Sequence, residues 1–158
     1  MKITDLRCEY MKGLVVTDRK APLFSWVIES DKKDVVQTAY RIIVSENIEE
    51  LDGKKGNICP KSFVASDKST GVLYVGKALK PFTKYYWRVE VRCNSDETAV
   101  SEIASFLTGR LDLKFPAKWM GKQEKQGKKK NAGAKSPYLF KRFTVEKEIK
   151  EAFLFATA

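Results

Sequence analysis

The sequence of 158 residues contains no histidine and only three cysteines, Cys8, Cys59 and Cys93. Without histidine, the chain has no imidazole for general-base chemistry or for a histidine-ligated metal site. The cysteines are odd in number and far apart in sequence, which argues against a disulfide framework and against a zinc site. We therefore expect free thiols, and we predict neither a cofactor nor a metal.

Long apolar runs are absent as well. The first ten residues are charged and lack the apolar centre of a signal peptide, and no later run approaches the length of a membrane span. The sequence thus predicts no membrane partner, and it leaves a cytoplasmic and a periplasmic location equally open. The hydrophobic content of 43% is sufficient for a globular core.

The formal net charge of +10 raises the question of nucleic-acid binding. Much of the excess lies in residues 121–135, which are rich in lysine and glycine and have no apolar side chain larger than alanine. Such a segment cannot bury surface, so we predict a mobile loop. Because no aromatic residues are interleaved with these lysines, we predict no nucleic-acid partner.

The clearest pattern is an alternation of apolar and mostly charged residues from Tyr85 to Cys93. A period of two over this length predicts a half-buried antiparallel strand. A proline-containing corner at 79–83 precedes it, an arrangement typical of the tyrosine corner of β-sandwiches. We therefore predict that the Tyr85 hydroxyl bonds the backbone of the preceding turn.

Shorter strand patterns recur along the chain up to Gly109, separated by turn signals about ten residues apart. About seven antiparallel strands at this spacing predict an all-β protein with an immunoglobulin- or fibronectin type III-like sandwich, and nothing requires a parallel pair. Trp26 is expected to be a core anchor between the sheets. Loops are predicted at 11–21 and 52–61, a helical turn at 45–51, and strands at 3–10, 23–28, 35–45, 63–64, 72–75 and 100–107.

The composition changes after Gly109. We predict a linker over 111–135, in which Trp119 docks on a neighbour, and the first strands of a second β-domain over 136–158. The strands expected there cover 138–145 and 151–158. The last of these is apolar on both faces, so it needs partners on both sides or pairs with a second copy of the chain.

Several segments in chain order resemble the N-terminal region of bacterial α-L-rhamnosidases, glycoside hydrolase family seventy-eight. The sequence QTAYR at 37–41 is the most specific of them. Fibronectin type III domains share strands similar to YWRV at 86–89, so that segment alone is weak. The matching segments are 6–9, 22–26, 37–44, 86–89, 117–120 and 136–143.

The resemblance implies a layout in which the sandwich, residues 1–110, is followed by a jelly-roll-like β-domain that begins in this chain. The catalytic (α/α)6 barrel of the family, with its two carboxylates for inverting hydrolysis, would lie outside this chain. No residue of this sequence therefore takes over a catalytic role. The resemblance implies a non-catalytic accessory module of an enzyme that removes terminal α-L-rhamnose from glycans, with the downstream domains as partners.

Two other functions remain open at this stage. A carbohydrate-binding module would stack sugars of rhamnose-containing glycans on exposed aromatic rings. Trp26 and Trp87 are in phase with the predicted core faces, which leaves Trp119 and Tyr74 as the candidates for sugar stacking. A free-standing interaction domain, which would associate with itself through its apolar C-terminal strand, is the third interpretation.

Overall fold

The computed structural model describes residues 1–52, 57–95, 97–114, 118, 138 and 140–155, and of residues 57–61 only the main chain. The chain divides into two compact units, Met1–Lys114 and Phe115–Ala158. Among the described residues, no helix has the length and apolar composition that a membrane crossing requires. The described elements are β1 Lys2–Cys8, β2 Val15–Thr17, β3 Leu23–Glu29, β4 Gln37–Ser45, α1 Ile48–Asp52, β5 Asn57–Ala65, β6 Val72–Leu73, β7 Lys84–Cys93, β8 Thr98–Val100 and β9 Ala104–Thr108.

These strands form two sheets. The small sheet has three strands in the order β1-β3-β6, and the large sheet has the order β2-β9-β7-β4-β5, with β8 pairing to β7 beside β9. One buried core takes side chains from both sheets. This arrangement confirms the predicted all-β sandwich, because each sheet covers the apolar face of the other.

Aromatic rings fill the centre of the core. Phe24 of β3 lies with its ring centroid 4.4 Å from that of Trp87 and 5.7 Å from that of Phe106, so one side chain of the small sheet contacts two strands of the large sheet. Trp26 is only 2% exposed, which confirms it as a core anchor. Each such side chain contributes about 1.5–3 kcal/mol through burial.

The tyrosine corner is present as predicted. The Tyr85 hydroxyl accepts a hydrogen bond of 2.9 Å from the amide of Lys80, and the Tyr85 ring stacks on Phe106 with centroids 5.4 Å apart. The hydroxyl of Thr108, which is fully buried, accepts from the amide of Thr83 at 2.9 Å. Two side-chain hydroxyls therefore hold the turn 80–83 against the start of β7 and the end of β9.

The loop predicted at 11–21 contains a strand that the sequence did not reveal. β2 has only three residues, of which Val15 and Thr17 are buried and Val16 is exposed, and this is too short for a period to be recognised. It pairs with β9 in parallel, Val15 opposite Phe106, so the expectation of purely antiparallel pairing was wrong.

The strand predicted at 100–107 is two strands, because Ser101 interrupts it. The Ser101 amide donates to the Val89 carbonyl at 2.9 Å, while the Val89 amide donates to the Ser101 hydroxyl at 3.0 Å instead of to a carbonyl. The Ser101 hydroxyl thus replaces a backbone acceptor. At this point the strand that pairs with β7 changes from β8 to β9. The loop predicted at 52–61 was also wrong in its second half, since β5 begins at Asn57.

The second unit was predicted to hold the first strands of a second β-domain, and that assignment stays a prediction. The described residues within the predicted strands 138–145 and 151–158 belong to no strand. Most of the large apolar side chains described there are exposed, including Tyr138, Phe140 and Leu154. The predicted mobile loop at 121–135 and Trp119 lie outside the described residues.

The tyrosine corner leads to a first prediction. We expect Tyr85→Phe to lower the free energy of unfolding by about 1–2 kcal/mol, since the ring stays in place while the Lys80 amide loses its acceptor. Tyr86→Phe, on the outer face of the same strand, is the matched control and should have a smaller effect. Urea denaturation of the two variants tests this, and equal losses would contradict the role of the corner.

Burial of a thiol leads to a second prediction. Burial, and secondarily the Glu9 carboxylate, raises the pKa of the Cys8 thiol to about 12. The thiol of an unfolded chain has a pKa of about 8.5. The stability that the neutral, buried Cys8 thiol contributes is therefore complete below that pH and is lost as the pH rises towards 12. The loss is at most about 1.4 kcal/mol per pH unit.

We therefore expect Cys8→Ala to reduce the slope of stability against pH between pH 9 and 11, measured by urea denaturation at each pH. Val72→Ala, another truncation in the same core, should lower stability without changing the slope. An unchanged slope in Cys8→Ala would show that the thiol does not carry this dependence.

Candidate functional site

Of the two residues predicted to stack sugars, the structure describes Tyr74. Tyr74 is 4% exposed, its hydroxyl donates to the Lys77 carbonyl at 2.9 Å, and its ring meets Phe24 edge-on with centroids 6.4 Å apart. Its ring is part of the core and offers no face to a sugar. Trp119 lies outside the described residues, so stacking on its ring stays a prediction.

The outer face of the large sheet carries a network of charged side chains. Glu90, which is 6% exposed, accepts from Nε of Arg41 at 2.5 Å, and its other carboxylate oxygen lies 3.9 Å from Arg88. Arg88 also pairs with Asp52 of α1 at 2.5 Å. Arg41 lies on β4, and Arg88 and Glu90 lie at alternate positions of β7, so the same alternation that builds the core also places these charges outside.

An aromatic ring and a helix complete this face. The Phe63 ring has two guanidinium groups over it, those of Arg41 and Arg92, at 4.7 and 4.0 Å from its centroid, and both are cation–π contacts. Leu51 of α1 and Ile43 of β4 are both fully buried. The charges of this face largely neutralise one another, and the face covers the sheet rather than offering a set of free groups to a ligand.

Metal and small-molecule binding receive little support from the described residues. They contain no group of three or more acidic or cysteine side chains that would hold a metal ion. A groove between Lys2–Leu6 and Glu102–Ala104 has a volume of about 270 Å³. This is below the usual range of ligand pockets, and its lining has no convergent set of catalytic groups.

A different surface lies where the chain leaves the first unit, and we call it the exit end. The amide of Leu111 donates to Asp18 at 2.9 Å, and Asp112 forms an ion pair with Lys20. These contacts fix the segment after β9 to the loop between β2 and β3.

The same loop connects the exit segment to the small sheet. Arg19 of the loop lies 3.4 Å from the Glu9 carboxylate, which in turn accepts from the Leu23 amide at 3.0 Å. The amide of Tyr74 donates to the Pro22 carbonyl at 2.9 Å. The exit end is therefore one continuous surface that comprises residues 8–11, 18–23, 73–75 and 110–113.

A hairpin with an unusual backbone stands at this end. Cys8 and Met11 exchange backbone hydrogen bonds of 3.0 and 2.9 Å around Glu9 and Tyr10, whose φ angles are +50° and +64°. Two central residues with positive φ define a type I′ turn, which normally takes Asn-Gly. Holding Glu and Tyr there costs about 1–2 kcal/mol per residue, and the bonds of Glu9 to Leu23 and Arg19 offset part of it.

The hairpin presents two large side chains to solvent: Tyr10 is 54% exposed and Met11 is 53% exposed. Sequence reasoning missed this feature and assigned residues 3–10 to one strand. The usual signal of a tight turn, a Gly, Asn or Asp, is absent from 8–11, so no rule of turn composition would have found it.

The charged network leads to a third prediction. We expect Glu90→Gln to lower the free energy of unfolding by about 3 kcal/mol, because it keeps the shape but leaves Arg41 without its carboxylate partner and Arg88 with Asp52 alone. Glu29→Gln, which affects an exposed bond to Thr4, is the control and should cost less than about 0.5 kcal/mol. Guanidinium denaturation compares them, and similar losses would mean that the network is energetically neutral.

Comparison with known proteins adds information of another kind. A family model described as the Rha78A-like, N-terminal immunoglobulin domain matches residues 3–112. Among curated proteins, an α-L-rhamnosidase of Formosa agariphila is 38% identical over 109 residues, which is 67% of this chain and 11% of that protein. An α-L-rhamnosidase of an Alteromonas species is 31% identical over 151 residues, or 87% of this chain and 16% of that protein.

Solved structures give a consistent result. The α-L-rhamnosidase of Dictyoglumus thermophilum superposes with a TM-score of 0.66 at 31% identity, covering 72% of this chain and 13% of that one. The Streptomyces avermitilis α-L-rhamnosidase, solved in complex with L-rhamnose, has a TM-score of 0.63 at 28% identity and covers 68% and 10%. The chain thus spans only about a tenth to a sixth of the length of these relatives.

Proposed function

The chain belongs to the family of Rha78A-like N-terminal immunoglobulin domains, and from this we propose that it is a non-catalytic module of an α-L-rhamnosidase. The enzyme would hydrolyse terminal α-L-rhamnose from glycans, and the groups that act on the glycosidic bond would lie in the remainder of that enzyme. The module would serve by packing against that remainder and supporting it.

The observation that carries the proposal is the placement of the match. The family model covers residues 3–112, which is almost the whole of the first unit, Met1–Lys114. The relatives named above are α-L-rhamnosidases in which the matched segment is a small part of the length. The shared segment is therefore a separate module, and it is shared among proteins of one named activity.

The chemistry of the described residues is consistent with this role. Hydrolysis of a glycosidic bond uses two carboxylates that flank the substrate in an open site. Glu90, the buried carboxylate of the sandwich, is bonded to Arg41 on a face covered by ions and by α1. A sugar has no access to it in this position, so it is assigned to the fold and not to catalysis.

Carbohydrate binding by the module itself receives less support. Trp26 and Trp87 are at most 2% exposed, and Tyr74 is part of the same core. The partner that we propose is therefore the rest of the enzyme rather than a glycan.

The experiment that tests the proposal exchanges modules. Residues 3–112 of this chain would replace the matched segment of the Formosa agariphila α-L-rhamnosidase, and hydrolysis of a chromogenic α-L-rhamnoside would be measured together with thermal unfolding. We expect the chimera to be active and to unfold at a higher temperature than the same enzyme with the segment deleted.

The 158-residue chain alone is the second sample, and we expect no hydrolysis from it. Rhamnoside hydrolysis by the chain alone would overturn the non-catalytic assignment. A chimera no more active or stable than the deletion variant would overturn the role as a supporting module.

A further inference from the structure

We propose that the exit end, with Tyr10 and Met11 at its centre, is the surface by which this module docks onto the remainder of a rhamnosidase. This inference rests on the function proposed above and names the contact surface for that partner. It concerns residues of the first unit alone.

The first argument is the chemistry of the surface. Exposed apolar side chains lie on three of the four segments of the exit end, the exception being 18–23: Tyr10, Met11, Leu73, Val75 and Leu113 are 49–64% exposed. A group of large apolar side chains on one end of a domain is typical of an interaction surface. Tyrosine and methionine are also enriched at the centres of interfaces.

The second argument is the contrast with the rest of the sandwich. The outer face of the large sheet is covered by ion pairs between Glu90, Arg41, Arg88 and Asp52, which would have to be desolvated against a partner. The exit end also carries ion pairs, Arg19 with Glu9 and Lys20 with Asp112, but the two side chains at its centre, Tyr10 and Met11, are uncharged. A partner that packs through apolar contacts therefore gains more at the exit end.

The third argument is the strained turn. Glu9 and Tyr10 hold left-handed backbone conformations that glycine or asparagine would adopt with less strain. Glycine at position 10 would relieve the strain but would remove the exposed ring. Strain that is retained at an exposed position indicates a use for the side chain that it presents.

The fourth argument identifies the occupant. The family match ends at residue 112 and the first unit ends at Lys114, both at the exit end. The family model is described as an N-terminal domain, and the matched segment is only 11% of the Formosa agariphila relative. A polypeptide that continues from this end is held at a high effective concentration beside it. The occupant to which we commit is therefore the remainder of the same enzyme chain, which presents an apolar surface.

The test uses the chimera described above and the 158-residue chain. Three single substitutions are made in each of them, one per variant. Tyr10→Gly relieves the turn and removes the ring, and Met11→Ser removes the neighbouring apolar side chain. Val36→Ser is the matched control, because Val36 is 52% exposed and bonds Asn94 at the opposite end of the sandwich.

In the 158-residue chain, we expect Tyr10→Gly to have a Tm equal to or above that of the unchanged chain. In the chimera, we expect Tyr10→Gly and Met11→Ser to lower the Tm by several degrees and to separate the unfolding of the module from that of the enzyme. Val36→Ser should leave the Tm of the chimera unchanged. Opposite signs for one substitution in the two contexts would not arise from an effect on the module's own fold.

If Tyr10→Gly and Met11→Ser change the chimera no more than Val36→Ser does, the docking surface is wrong although the supporting role stands. If the unsubstituted chimera is no better than the deletion variant, the proposed function itself has failed. The substituted chimeras therefore test the docking surface, and the unsubstituted chimera tests the proposed function.

Discussion

The contact of Phe24 with Trp87 and Phe106 is the interaction on which the sandwich depends. The small sheet has only three strands, one of which has two residues, so its own hydrogen bonds cannot hold it in place. The fully buried Phe24 ring lies on the neighbouring strands of the large sheet, with centroids 4.4 and 5.7 Å away. Burial of these rings holds the two sheets together. The positions of the outer faces and of the strand ends depend on this packing.

A polar residue fixes the orientation that the rings alone leave open. Gln37 is 5% exposed and accepts a hydrogen bond from the Trp26 indole at 2.9 Å, while its amide donates to the carbonyls of Ser66 and Lys68 at 2.9 and 3.0 Å. One side chain thus connects both sheets and the loop before β6. Each of these groups would be costly to leave unbonded in the interior, so replacing Gln37 would leave three polar groups without their partners.

The sequence predicted those parts of the structure that a long periodic pattern encodes. β7 and the Tyr85 corner were predicted because nine residues of alternation, Tyr85 to Cys93, and a proline-containing corner leave few alternatives. β2, with three residues, and the division at Ser101 were not predictable, because the first has no period and the second depends on a side-chain hydroxyl that replaces a backbone acceptor. Tyr74 has an aromatic ring of the kind that stacks on sugars, but the tertiary fold buries this ring in the core.

The exit end was invisible in the sequence for a related reason. Its members come from four separate segments that only the fold brings together, and its hairpin has none of the residues by which tight turns are recognised. The large sheet neutralises its outward charges within itself, whereas the exit end keeps strained backbone and apolar side chains in contact with solvent. This contrast supports the proposal that a partner would cover the exit end rather than the outer face of the large sheet. This difference makes the exit end, where the chain continues, the surface from which a supporting module would act.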